Sequence, residues 1–283
     1  MALFTAFAAL AALLAGVAPL PLSFASVWLF AGPHNWMEAR YFLSRLPAHW
    51  LVRREFLVVA AAGTLLLGMS FALTPPNEIW FTATGLWMLL LIRLAGRDTA
   101  MAAGPICAAI ALAWWSLPTA GMMLLYLHPV AALWFLFRQA GKRWPGQPRL
   151  PYATALVLLG IAVVGMRWET VGPTSQWTNQ ALTALPTSPA LIALHAYLEL
   201  LHYGAWVLAL PLIGLATKPW QWRTIPLARR WPTAIRAVLI AGLLAVVTLW
   251  TGLAMDYNNA RAIYFTVAIF HVLAEAPMLI WLR

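Results

Sequence analysis

The chain has 283 residues, of which 63% are hydrophobic and only 9% are charged. This composition excludes a soluble globular domain and is typical of a multi-pass helical membrane protein. The formal charge of +10 does not indicate a nucleic-acid partner, because the basic residues lie in short loops between apolar runs. The single cysteine, Cys107, lies in an apolar run, which excludes an intrachain disulfide and a thiolate metal cluster.

Ten apolar runs follow one another along the chain, separated by turn and charge signals such as Pro75-Pro76-Asn77 and Gly96-Arg97-Asp98. They predict an all-α, polytopic membrane bundle of about eight to ten transmembrane helices, forming a single transmembrane domain over residues 1–283. The first run lacks a positively charged leader, which favours an uncleaved span over a signal peptide. The predicted spans are 2–18, 22–45, 55–74, 79–95, 101–117, 120–138, 152–168, 188–217, 232–254 and 261–282.

The basic residues predict how these spans are oriented. If the N-terminus is cytoplasmic, all but two of the 18 lysines and arginines fall on the cytoplasmic side, the exceptions being Arg167 and Arg261. This asymmetry is the one that the positive-inside rule requires, so both termini are predicted to be cytoplasmic. The Ala-, Leu-, Arg- and Trp-rich composition is compatible with a bacterial inner (plasma) membrane.

Ionisable side chains inside the apolar runs are the main functional signal. Two pairs are spaced i and i+4 on a helix, and three residues of the eighth span are spaced i, i+4 and i+7, so each set shares one helix face. At about 1.5 Å per residue, the five histidines inside the apolar runs fall in the middle third of a hydrocarbon core about 30 Å thick, whereas the sixth, His49, is in a loop. The histidines are His34, His128, His195, His202 and His271, and the glutamates at similar depth are Glu38, Glu199 and Glu275.

Such residues are costly in lipid, so they should face the bundle interior and one another. Neutral imidazole with carboxylate is the ligand set for iron, zinc, copper or manganese where thiolates are absent. We therefore predict that the five histidines bind metal and that the three glutamates orient the ligands or complete the metal shell. A hydrogen-bonded polar core without metal is the alternative. The aromatic rings at this level either line a substrate pocket or pack against each other.

Three short elements resemble the bacterial membrane β-carotene dioxygenase (Brp/Blh) family. Pro33-His34-Asn35-Trp36-Met37-Glu38 resembles that family's Pro-His-Gly-Ala-Leu-Asp element, and His202-Tyr203-Gly204 is similar to its His-Phe-Gly element. Phe270-His271 with Glu275 is similar to a late histidine followed by an acid. The resemblance implies an iron-dependent oxygenase that splits a carotenoid, with His34, His202 and His271 as iron ligands.

The leading hypothesis is therefore an iron-dependent membrane oxidoreductase or oxygenase whose partners are the lipid bilayer and a lipophilic small molecule. Zinc, copper and haem are alternative cofactors, although the spacing of about thirteen residues typical of bis-histidine haem helices is missing. A second hypothesis is a non-catalytic metal-, haem- or pigment-binding subunit that contacts protein partners in the membrane. A third is a divalent-metal transporter, because His34-Asn35-Trp36-Met37-Glu38 resembles the His-Asn-x-x-Asp element of ZIP transporters.

Overall fold

A computed structural model describes residues 1–46, 54–74, 76–166, 188–214 and 225–282. The structure is 90% helical and contains no strand within these ranges, which confirms the all-α fold class. The connection between the predicted spans 152–168 and 188–217 lies outside the described residues, as does His49.

Ten helices lie within the described ranges, and each corresponds to one of the ten predicted spans. Where both ends lie in the described ranges, they agree with the prediction to within a few residues, and the largest difference is at the end of α6, which runs to Arg143 rather than 138. The predicted end of the eighth span, at 217, lies outside the described residues. The helix α8 continues directly into a π-helical turn, Gly204–Ala209, and a last α-helical turn, Leu210–Gly214. The helices are α1 (Ala2–Val17), α2 (Pro19–Arg45), α3 (Arg54–Leu73), α4 (Glu78–Leu94), α5 (Ala100–Trp115), α6 (Leu117–Arg143), α7 (Leu150–Gly165), α8 (Pro189–Tyr203), α9 (Pro232–Met255) and α10 (Tyr257–Trp281).

Local side-chain chemistry explains several helix ends. The side chain of Asn77 accepts a hydrogen bond from the Trp80 amide at 2.9 Å and so caps the start of α4. Gly96, directly after α4, has φ +72°, a left-handed conformation that glycine adopts without steric penalty. Asp98 then accepts a hydrogen bond from the Ala100 amide at 2.8 Å, at the start of α5. The predicted break at Gly96-Arg97-Asp98 is thereby confirmed.

Five helices are long and apolar enough to cross a membrane: α3, α6, α8 with its continuation, α9 and α10. The most apolar stretch of α9 is only 11% buried within the protein, and large apolar side chains such as Leu244 and Val247 are exposed on it. An apolar surface of this kind indicates contact with lipid. The helices α1, α5 and α7 are apolar but have 16 residues each, about 24 Å, which is shorter than a hydrocarbon core of about 30 Å. The count of ten spans therefore stays a prediction.

Backbone contacts divide the chain into two compact units. Unit 1 comprises Met1–Tyr41, Pro129–Gln221 and Val238–Asn258, and unit 2 comprises Phe42–His128, Trp222–Ala237 and Asn259–Arg283. The single transmembrane domain expected for residues 1–283 stays a prediction.

In unit 1, the helix α1 packs against α7 and α8. Its contact face consists largely of buried small residues, and small residues allow helix backbones to approach closely where lipid provides no hydrophobic driving force. Gly204 is another position where only a small residue fits, because a Cβ atom there would lie 2.3 Å from the Phe7 ring. The α1 helix thus covers the chain directly after His202.

In unit 2, two tryptophans tie α3 to α4. The Trp87 indole donates to the carbonyl of Val59 at 2.9 Å, and the Trp80 indole donates to the carbonyl of Leu67 at 3.0 Å. Both rings are buried, and they belong to an apolar core that also includes residues of α10. This core holds α10, which carries His271 and Glu275, in a fixed place within unit 2.

Candidate metal centres

In unit 1, His34 and Glu38 of α2 meet His202 of α8; we call these three residues the unit 1 cluster. One ligand atom from each lies within 4.8 Å of the others. The exposed fractions are 1% for His34, 1% for Glu38 and 2% for His202. The imidazole rings of His34 and His202 have centroids 5.0 Å apart and cross at 73°. Two nitrogens and one carboxylate therefore converge inside an apolar bundle.

The hydrogen bonding of His34 suits metal ligation. Its Nδ1 lies 3.1 Å from the carbonyl oxygen of Phe30, one turn earlier on α2. When Nδ1 carries the proton and donates to this carbonyl, Nε2 has a lone pair available for a metal. Pro33 lies inside the same helix and removes one backbone donor next to His34.

In unit 2, His128 of α6 meets His271 and Glu275 of α10; we call these the unit 2 cluster. His128 Nδ1 lies 3.0 Å from Glu275 Oε2, and His128 Nε2 lies 3.2 Å from His271 Nε2. A proton on His128 Nδ1, donated to the carboxylate, leaves Nε2 unprotonated. This carboxylate–histidine pair is the arrangement that orients many histidine ligands toward a metal.

The distance between His128 Nε2 and His271 Nε2 is compatible with ligation of one metal ion by both nitrogens. Two histidine nitrogens about 2.1 Å from one metal and at about 90–110° to each other lie about 3.0–3.4 Å apart. The observed 3.2 Å falls in this range. An N–H···N hydrogen bond between the two rings has a similar length, and titration with metal distinguishes the two arrangements.

Glu275 gives a prediction for the unit 2 cluster. Replacing Glu275 with glutamine should weaken metal binding at His128 and His271 about 10–100-fold, because the neutral amide orients and polarises the imidazole less well. Calorimetric titration with Co²⁺ or Fe²⁺ of protein in lipid nanodiscs measures this change. Glu55→Gln, an exposed glutamate in the first turn of α3 in the same unit, is the matched control. An unchanged affinity in Glu275→Gln would remove Glu275 from this role.

Glu199 lies among hydroxyl groups in unit 1. Its Oε2 accepts hydrogen bonds from the hydroxyls of Ser23 at 3.0 Å and Ser26 at 3.1 Å, and its Oε1 accepts one from Tyr203 at 3.1 Å. We call these four residues the hydroxyl network. The Ser26 hydroxyl also lies 2.9 Å from the carbonyl oxygen of Ser23, so its one proton is shared between that carbonyl and Glu199. The three hydroxyls together supply the hydrogen bonds that a buried carboxylate requires.

His195 is also in unit 1, on α8, and is 6% exposed. Among the described residues, the groups of three or more histidine and acidic side chains whose ligand atoms lie within 4.8 Å of one another do not include His195. Its role as a metal ligand stays a prediction.

The aromatic rings near this level pack tightly: Tyr197 and Trp206 are each 1% exposed, and the Tyr197 hydroxyl donates to the carbonyl of Leu156 at 3.0 Å.

Sequence reasoning did not identify Ser23 or Ser26, and it identified Tyr203 only as part of the His202-Tyr203-Gly204 element and as a ring at the level of the histidines, not as a partner of Glu199. A signal was present, because Ser23 and Ser26 are spaced i and i+3, and Glu199 and Tyr203 are spaced i and i+4. It also missed the π-helical turn that begins at Gly204, directly after the pair His202 and Tyr203. Turns of this kind are rare in proteins, and those that occur are often found at functional sites.

Comparison with known proteins gives no match: no protein-family model, no curated protein and no solved structure is similar to this chain. The resemblance to the membrane β-carotene dioxygenases therefore stays a prediction from short motifs.

Proposed function

We propose that this chain is an iron-dependent oxidoreductase of the oxygenase type that acts on a lipophilic substrate within the membrane. The observation that carries the proposal is the unit 1 cluster, in which two histidines and one carboxylate converge at 2% exposure or less. Two histidines and one carboxylate with further positions open is the donor set of non-haem iron oxygenases. Bound iron would supply one-electron chemistry and reaction with O2.

Burial supports a cation at this position. Glu38 is 1% exposed, and a bound divalent cation is a group that offsets the cost of burying a charged carboxylate. Imidazole nitrogens are good ligands for iron, copper and zinc and poor ligands for calcium or magnesium. In the unit 1 cluster, His34 and His202 would bind the metal, and Glu38 would complete the set of protein ligands. The unit 2 cluster supplies a second candidate metal site, with His128 and His271 as ligands.

Three aromatic rings would exclude water on one side of the unit 1 cluster. Tyr41 lies three residues after Glu38 on α2, and Trp206 lies four residues after His202. Their rings pack against each other and against Phe135 with centroids 5.4–6.0 Å apart, and all three are at most 1% exposed. A water-poor site protects reactive species from side reactions.

The 3.2 Å between His128 Nε2 and His271 Nε2 argues against bis-histidine haem in unit 2. In such a haem the two nitrogens bind opposite faces of the iron, about 4 Å apart. A non-catalytic redox subunit with bare metal stays the second candidate, because it would use the same clusters.

For location, we propose ten transmembrane helices with both termini cytoplasmic in a bacterial inner membrane. The charge asymmetry of the loops supports this topology.

The test uses the full chain in lipid nanodiscs, loaded with Fe²⁺ or with Zn²⁺ and supplied with β-carotene or another polyene. Oxidative cleavage of a carbon–carbon double bond consumes one O2 and gives two carbonyl groups, so no external reductant is required. We expect O2 consumption with a matching yield of aldehyde from the Fe²⁺ protein and none from the Zn²⁺ protein. Equal rates with the two metals, or no O2 consumption with any lipophilic substrate, would contradict the oxygenase and favour the non-catalytic subunit.

A further inference from the structure

The hydroxyl network links α2 and α8 within unit 1. Ser23 and Ser26 donate from α2, and Tyr203 donates from α8, to the single carboxylate of Glu199. All four residues are at most 8% exposed. The two linked helices are those that supply the ligands of the unit 1 cluster, so the network fixes their relative rotation at that level.

The aromatic ring of Tyr203 contacts the histidines of that cluster. Its centroid lies 4.7 Å from that of the His34 imidazole, at an interplanar angle of 45°, and 5.8 Å from that of His202, at 69°. Because the hydroxyl of the same side chain is hydrogen-bonded to Glu199, the ring cannot swing away without breaking that bond. The far side of His34 is fixed separately, by the contact between Nδ1 and the Phe30 carbonyl.

Metal ligation requires this kind of restraint. Ligand groups must be held to within about 0.5 Å and about 10–20° of their binding geometry by side chains whose own rotamers are locked. A histidine ring that rotates freely loses entropy when it binds a metal, and its affinity falls accordingly.

We propose that Tyr203 is a positioning residue for the unit 1 metal, and that Glu199, Ser23 and Ser26 serve to lock it in place. This inference rests on the proposed metal site and deepens it, because it assigns the hydroxyl network to ligand orientation rather than to ligation. Glu199 acts through Tyr203 and not as a metal ligand.

The chain offers a matched control for a merely structural role. Tyr197 lies on the same helix, is 1% exposed, and uses its hydroxyl to donate to the carbonyl of Leu156 on α7 at 3.0 Å. Tyr197→Phe and Tyr203→Phe therefore each remove one buried hydroxyl and one hydrogen bond from α8. They differ in that only the Tyr203 hydroxyl bonds to Glu199.

The experiment titrates a full-length parent chain and the two variants with Co²⁺ in nanodiscs, following affinity and the visible absorption bands of bound Co²⁺. To isolate the unit 1 metal, all three carry His128→Ala in unit 2. We expect Tyr203→Phe to weaken binding about 10–100-fold and to shift the absorption bands, whereas Tyr197→Phe changes neither. Both variants should lower the thermal midpoint by similar amounts, since each loses one buried hydrogen bond.

Glu199→Gln, which retains the side-chain shape, should move affinity and absorption in the same direction as Tyr203→Phe and provides a second reading if that variant folds poorly. Equal Co²⁺ affinity and identical bands in Tyr203→Phe and its parent would overturn the positioning role. Failure of the parent itself to bind Co²⁺ would instead overturn the proposed unit 1 metal site and, with it, this inference.

Discussion

Replacing His202 with alanine is expected to remove metal from the unit 1 cluster. The proposed site has three protein ligands, and losing one of them should weaken binding by more than the 10–100-fold typical of losing an outer partner, so at least about 100-fold. The π-helical turn after His202 and the close contact between Gly204 and Phe7 fix the helix at this position, which prevents a neighbouring residue from replacing the ligand. Metal content after dialysis against a weak chelator measures the loss.

His195→Ala is the informative companion variant. His195 lies on the same helix and is buried to a similar degree, so both substitutions remove one imidazole from the interior of unit 1. Retained metal in His195→Ala and lost metal in His202→Ala would support the unit 1 cluster as defined. Loss in both variants would restore the sequence prediction that His195 is a ligand, and full metal content in His202→Ala would contradict the cluster.

Replacing Glu38 with glutamine is expected to reduce the stabilisation that bound metal gives to the protein. In metal-free protein, the glutamine keeps the size and shape of a side chain that is 1% exposed, and the stability of this form relative to wild type is the reference value. In metal-loaded protein, the amide is a weaker ligand than the carboxylate, so the variant should be less stable than wild type. Thermal unfolding in detergent with chelator and with excess Fe²⁺ measures both differences.

The exposed Glu55→Gln serves as the control for loss of a negative charge alone, and it should shift stability little in either condition. A Glu38→Gln variant that is destabilised equally with chelator and with metal would show that Glu38 is a structural hydrogen-bond partner and not a metal ligand.

The helices were predictable because apolar runs of membrane length, bounded by glycine, proline and charged residues, leave little choice of secondary structure. The break at Gly96 and the start of α4 after Asn77 follow from local chemistry that is visible in the sequence. The π-helical turn was not predictable, because Gly204–Ala209 is as apolar as the helix before it. Its presence depends on packing, including the contact with Phe7.

The candidate sites were predictable in part. Helical spacing identifies His34 with Glu38 and His271 with Glu275 as pairs on one face, and the structure retains both pairs within clusters. Depth along a helix does not tell which helices are neighbours or how each is rotated. The sequence alone therefore could not assign Glu199 to the serine hydroxyls.

The central claim, that these buried histidines and glutamates bind metal, is tested most directly by elemental mass spectrometry on gently purified full-length protein, with an absorption spectrum of the same sample. We predict about one or two irons per chain and no intense visible bands. The iron content should be lower in His202→Ala, which removes a ligand of the unit 1 cluster, and in His271→Ala, which removes a ligand of the unit 2 cluster. Protein that is folded but free of iron, zinc, copper and manganese, before and after incubation with each ion, would contradict the claim. It would leave both clusters as hydrogen-bonded polar cores.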